Sequence, residues 1–153
     1  MGGAASLNKG KNGERQVADL LRHELYLLMH KHQYDAETMV ALHSLVQRNQ
    51  NQSSAGGGDI NLFGLSIEVK RHETLSVEAW WRQAEASAAR NGDAPVLMYR
   101  QNNKAWHVVM MANVPLDDRS HYRCRVTIDV DTFKAWFSGW AERKIARGEI
   151  DRI

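Results

Sequence analysis

The chain predicts an α/β domain with a central mixed β-sheet flanked by helices. Three observations carry this reading. Apolar residues recur at helical spacing early in the chain, at Val17, Leu20, Leu21, Leu25 and Leu28. Short β-prone runs then follow in pairs, DINLF with LSIEVKR and PVLMYR with AWHVVMM. Amphipathic helical segments separate those pairs and close the chain, so strands and helices are interleaved. The 153 residues suffice for one domain with a real core, and 1–153 is read as one unit.

Residues 1–12 are rich in Gly, Asn and Lys and are expected to be a mobile basic segment. The first helix is expected to begin near Gly13, with Asn12 or Gly13 as N-cap. Glu14 would then lie in the first turn, where the helix dipole favours a carboxylate. Residues 30–35 break the pattern, and a short helix is expected over Ala36–His43. SLVQRN (44–49) suits an edge-like strand. NQNQSSAGGG (49–58) is a loop by composition.

A hairpin follows, with strands Asp59–Phe63 and Leu65–Arg71 turning at Gly64. A long helix is expected over 76–90, ended by Asn91-Gly92. Strands are expected at 95–100 and 105–111, joined by the polar turn QNNK, and at 124–130 after a loop at 112–121. Asp131 can cap a last helix over 131–147, with Phe133, Trp136, Phe137 and Trp140 on its apolar face.

Bulk properties exclude several classes. A net charge of +2 supports no general polyanion-binding claim. The single Cys124 excludes an intrachain disulfide, disfavours a cysteine-based zinc site and fits a reducing cytosol. No apolar run reaches the roughly 18 residues that a membrane span needs. The N-terminus lacks the apolar core of a signal peptide, so a cytoplasmic protein is expected.

The chemistry concentrates in GGGDINLFGLSIEVKR, residues 56–71. Side chains alternate along a strand, so Glu68 and Lys70 share one face while Ile67 and Val69 share the other. The Gly64 turn can fold Asp59 back beside Glu68. Two neighbouring carboxylates repel, and one would hold its proton unless a cation lay between them. Magnesium suits one or two carboxylates, waters and phosphate oxygens, with the Val69 carbonyl close enough to join. Lys70 could then orient water or stabilise charge on a phosphate. The three glycines before Asp59 would let a nucleic-acid backbone approach without a Cβ clash. Taken alone, a Glu-x-Lys pair on a strand also fits a solvated face.

These residues resemble the Asp…Glu-x-Lys core of the PD-(D/E)xK nuclease superfamily. GGGD-I and IEVK carry the resemblance, together with an acid on a leading helix (GER, Glu14) and a glutamine on the later helix (WWRQA, Gln83). The pattern spans roughly residues 8–111 and is similar to that of archaeal-type Holliday junction resolvases and small phage or prophage nucleases. The resemblance implies a restriction-endonuclease-like core, with 29–43 as an insertion. It implies metal binding by Asp59, Glu68 and Glu14, a catalytic role for Lys70, and a site lined by Gln83. It implies Mg2+, or Mn2+, as cofactor, branched DNA as partner, and a homodimer with one site per opposed strand. Ser53 or Ser54 resembles a loop serine near the scissile phosphate. The first acid lacks the proline of the superfamily's name, and residues 112–153 carry no resemblance.

Basic residues near this core, Lys9, Lys11, Arg15, Arg48, Arg71 and Arg82, are candidates for DNA phosphate contact. Trp80 and Trp81 are read as core residues, with base stacking as the alternative. Two other functions stay open: a restriction-like, nicking or exonucleolytic enzyme of the same superfamily, and a non-catalytic DNA-binding protein on the same scaffold.

Overall fold

A computed structural model describes residues 3–47 and 58–148. Helices α1 (Gly3–Lys31) and α2 (Ala36–Leu45) precede strands β1 (Ile60–Leu62) and β2 (Leu65–Arg71). Helix α3 (Val77–Asn91) leads to β3 (Ala94–Arg100), β4 (His107–Pro115) and β5 (His121–Asp129), and α4 (Val130–Ala146) closes the described chain. The five strands form one mixed sheet in the order β1-β2-β3-β4-β5. Only β2 and β3 pair in parallel, and α3 is their crossover; the other neighbours are antiparallel.

Strand alternation divides the core. Leu65, Ile67, Val69, Val96, Met98 and Val108 pack with Val17, Leu21 and Leu25 of α1 and with Phe133 and Phe137 of α4. The other face sets Leu97 and Val109 against Trp80, Trp81 and Ala84 of α3. Both tryptophans are therefore core residues of a smaller second cluster. The helix–sheet–helix layering is the α/β architecture of a restriction-endonuclease-like core.

Helix α1 differs from expectation at its start. It begins at Gly3, so residues 3–12 are helical, and Gly13 and Glu14 lie well inside the helix. Gly13 is a contact point instead of a cap. A Cβ there would lie 3.3 Å from Arg71 Cβ, 3.6 Å from Val69 Cγ1 and 3.7 Å from Trp106 Cη2. An interior glycine costs about 1 kcal/mol of helix propensity. The close approach of α1 to β2 offsets that cost.

The strand expected at 44–49 is absent over its described part. Helix α2 runs to Leu45, and the Ser44 hydroxyl donates to the Val40 carbonyl at 2.8 Å. Leu42 and Val46, four apart, are both fully buried, as a helical turn arranges them. The Val46 carbonyl accepts from Arg22 Nη2 at 2.7 Å, which ties this turn to α1. Asp35 caps α2 by accepting from the Thr38 amide at 2.7 Å.

Strands β4 and β5 run past the expected limits as a long antiparallel arm, with Ala112 opposite Cys124 and Pro115 opposite His121. The expected loop at 112–121 shrinks to its tip. There, Leu116 N donates to Ser120 O at 2.9 Å, and Asp117 Oδ1 accepts from the Arg119 and Ser120 amides at 2.8 Å each. The cap of α4 is Asp129, which accepts from the Thr132 amide at 2.7 Å. Asp131 instead lies in the first turn.

The β1–β2 turn is a two-residue turn at Phe63 and Gly64, with φ of 51° and 77°. Positive φ at both positions matches the twist of a tight hairpin, but it is unusual for an aromatic residue. The buried Phe63 ring and a hydrogen bond hold it: Trp140 Nε1 of α4 donates to the Phe63 carbonyl at 3.0 Å. The Gly64 carbonyl accepts from Ala94 N at 2.8 Å, fixing the turn to the start of β3.

Candidate active site

The hairpin register brings the acids together. Ile60 pairs with Ile67, so Asp59 lies next to Glu68 across the ladder. Gly58 allows this approach. Its amide donates to Ser66 Oγ at 3.2 Å, and a Cβ there would lie 2.6 Å from that oxygen and 2.9 Å from the Ile67 carbonyl. The bare backbone at Gly58 therefore serves the protein's own hairpin, not an approaching nucleic acid. Gly56 and Gly57 lie outside the described residues.

Asp59 is buried, 4% exposed, and its Oδ2 accepts from the Val69 amide at 2.7 Å. In a strand, a residue's amide and carbonyl point toward the same edge. The Val69 carbonyl is thereby turned to the side where Asp59 stands. Glu68 is equally buried and faces α3. Its Oε1 accepts from Gln83 Nε2 at 2.8 Å and lies 3.4 Å from Lys70 Nζ.

Burial is the largest influence on Glu68 and pushes its pKa up to about 7. The Asp59 charge beside it adds to this, and Glu14 contributes in the same direction; Lys70 opposes them. Glu14 follows the Gly13 contact by one residue in the body of α1. Asp59, Glu68, Lys70 and Gln83 are brought to one place by the hairpin and α3, and Glu14 of α1 is near enough for its charge to act on Glu68.

Mutual repulsion among buried carboxylates is the condition that a divalent cation relieves. Among the described residues, no group of three or more His, Cys, Asp and Glu side chains forms a ready metal cluster. Magnesium requires none, because it keeps several waters and binds through one or two carboxylates. The donor set at Asp59 and Glu68 fits such an ion.

The predicted DNA contacts are more scattered. Arg71 points to the opposite face of β2 from Lys70, and its Nε donates to Asn102 Oδ1 at 3.2 Å. Arg82 is exposed on α3, with Nε donating to the Glu78 carbonyl at 3.4 Å. Lys9, Lys11 and Arg15 lie on α1, Lys11 and Arg15 exposed and one turn apart. Arg48, Ser53 and Ser54 fall outside the described residues.

Arg100 is a basic residue that sequence reading missed. The parallel register sets it beside Arg71 at the end of β3. Its Nη1 donates to Gln16 Oε1 at 3.3 Å, and its guanidinium lies 5.5 Å from the Trp106 ring centroid. The only local sign is its strand-end position in MYR, because parallel pairing joins segments distant in sequence.

Residues 5–144 match the family described as "Phage putative PDDEXK endonuclease". No curated protein and no solved structure matches the chain. The match runs from α1 through most of α4 and includes Glu14, the hairpin and Gln83. The chain belongs to this phage PD-(D/E)xK endonuclease family.

Proposed function

We propose that the chain is a magnesium-dependent, structure-specific DNA endonuclease, with manganese able to substitute, that resolves four-way junctions as a homodimer by paired nicks. The observation that supports the nuclease part of this reading is the buried Asp59–Glu68 pair, with Lys70 3.4 Å from Glu68 and Gln83 holding the same carboxylate oxygen; the junction and the homodimer rest on the resemblance alone. A bound divalent cation would polarise the phosphodiester and make its bound water a stronger nucleophile. Asp59, Glu68 and Glu14, with the Val69 carbonyl, would hold it. Gln83 engages Oε1 of Glu68, which leaves Oε2 as the natural metal-facing oxygen. Lys70 places a positive charge where negative charge builds on the phosphate and orients the attacking water. Hydrolysis then leaves 5′-phosphate and 3′-hydroxyl ends.

Lys9, Lys11, Arg15, Arg71 and Arg82, joined by Arg100, are proposed phosphate contacts that position DNA without reading its sequence. Arg48 and a loop serine, Ser53 or Ser54, are proposed as further DNA contacts. The test is cleavage of a synthetic four-way junction against linear duplex and single strand. Symmetric paired nicks near the branch point, lost in Asp59→Ala and Lys70→Ala, are expected. Equal cutting of linear DNA would remove the junction assignment but keep the nuclease. Equal inertness of wild type and variants on every DNA form would remove the enzyme itself.

A further inference from the structure

Beside the acidic site, four rings form a row on the α3 side of the sheet. His72 lies 5.3 Å from Trp80, Trp80 lies 5.9 Å from Tyr99, and Tyr99 lies 5.1 Å from His107, centroid to centroid. The Tyr99 and His107 planes are only 25° apart. Register fixes the row next to the chemistry. Lys70 pairs with Tyr99, and Tyr99 pairs with His107, so these three side chains share one face of neighbouring strands. His72 follows the end of β2, its amide donating to the Arg100 carbonyl at 3.2 Å and its ring lying against Trp80.

Packing explains only the middle of the row. Trp80 is 8% exposed and seals the smaller core with Leu97 and Val109. Rings that served only that core would end buried, yet this row ends in two exposed imidazoles, with Tyr99 half-buried between Trp80 and His107. Tyr99 lies between Trp80 and the stacked His107, so the exposed His107 ring presents the outer face of the row; such a face beside the proposed catalytic lysine is an arrangement on which an unpaired base stacks. Lys70, on the same face as the row, supplies a cation for the backbone beside such a base.

We infer that Tyr99 and His107, backed by Trp80 and flanked by His72, form a stacking platform for an unpaired base next to the scissile phosphate. The substrate class is then DNA with single-stranded character beside the cut, as at a branch point or a flap. A closed duplex presents no free base face to such a platform, because its bases stack on one another. This inference rests on the nuclease reading of the adjacent acids and lysine.

The test uses the full chain with Lys70→Ala, so that DNA stays intact, and compares binding of a flapped duplex with that of a blunt duplex of equal length. His107→Ala and Tyr99→Leu, which keeps apolar bulk over Trp80, should each lose about tenfold in affinity for the flapped DNA and nothing for the blunt one. Tyr99→Phe should bind as the parent does. A 5-iododeoxyuridine at the first unpaired position should photocrosslink to Tyr99 or His107. Equal losses on both DNAs, no loss, or a crosslink elsewhere would overturn the platform. Cleavage by the protein with Lys70 present separates the two claims. If it cuts DNA and the ring variants bind the flap normally, the platform falls and the nuclease stands. If it cuts no DNA, the nuclease reading falls and takes the platform with it.

Discussion

Glu68 concentrates the electrostatic conflict of the proposed site in one side chain. Its pKa is pushed from an ordinary 4.5 to about 7, first by burial and then by Asp59. Between those values the folded protein binds a proton that the unfolded chain has released. The stability contributed by Glu68 is therefore greatest below about 4.5 and is lost as pH rises through 7, by at most roughly 3 kcal/mol. Glu68→Gln removes the ionisable group while keeping its shape, and its amide oxygen can still accept from Gln83. Thermal unfolding at pH 8 should show this variant several degrees more stable than wild type, with the gap closing toward pH 5. Magnesium should stabilise wild type at pH 8 and not the variant. A variant less stable at pH 8 would show that Glu68 is not held against its charge. Glu68 and Lys70 were legible in the sequence because charged residues interrupt an apolar strand at a spacing of two. Which of two nearby aspartates caps α4 was not. Asp129 does so because its backbone is extended, at φ −76° and ψ 167°, and local composition does not determine that.

At the scale of elements, the site depends on how α1 and α4 grip the hairpin. Gly13 sets the height of α1 above β2, and Glu14 follows it. Gly13→Leu should push the helix outward at about 1–3 kcal/mol of stability, read by denaturant unfolding. Any surviving activity should require more magnesium, because Glu14 moves with the helix. Unchanged stability would mean that α1 does not pack through Gly13. Trp140→Phe keeps the ring over the hairpin but removes the hydrogen bond to the Phe63 carbonyl. A loss of about 1 kcal/mol in the same measurement is expected. The hairpin itself was legible because alternation and Gly64 punctuate it. The start of α1 was not, since Gly, Asn and Lys read as a mobile segment until packing against β2 is known. The β4–β5 arm was hidden in the same way, as Pro115 and the Asp117–Asp118 pair read as a loop.

At the scale of the molecule, the sheet gathers residues far apart in sequence along one edge of function. Glu14 and Gln83 approach Glu68 from helices on opposite sides of the sheet, and the parallel β2–β3 pairing sets Arg71 beside Arg100 and Lys70 beside Tyr99. The alternating pattern of helices and strands made the α/β class legible. The pairing of β2 with β3 was not, so the ring row had no signal in the linear sequence and Arg100 only its strand-end position. The proposed homodimer predicts a solution mass of twice the chain by light scattering; a monomer at the concentrations where junctions are cut would remove the paired-nick model. The central claim is that the hairpin carboxylates and Lys70 form a metal-dependent phosphodiesterase centre. A magnesium titration of four-way junction cleavage tests it most directly. The account predicts saturable, magnesium-dependent nicking by wild type that falls about a hundredfold or more in Lys70→Ala and in Asp59→Ala. Cleavage that proceeds equally without divalent metal, or at an undiminished rate in both variants, would contradict it.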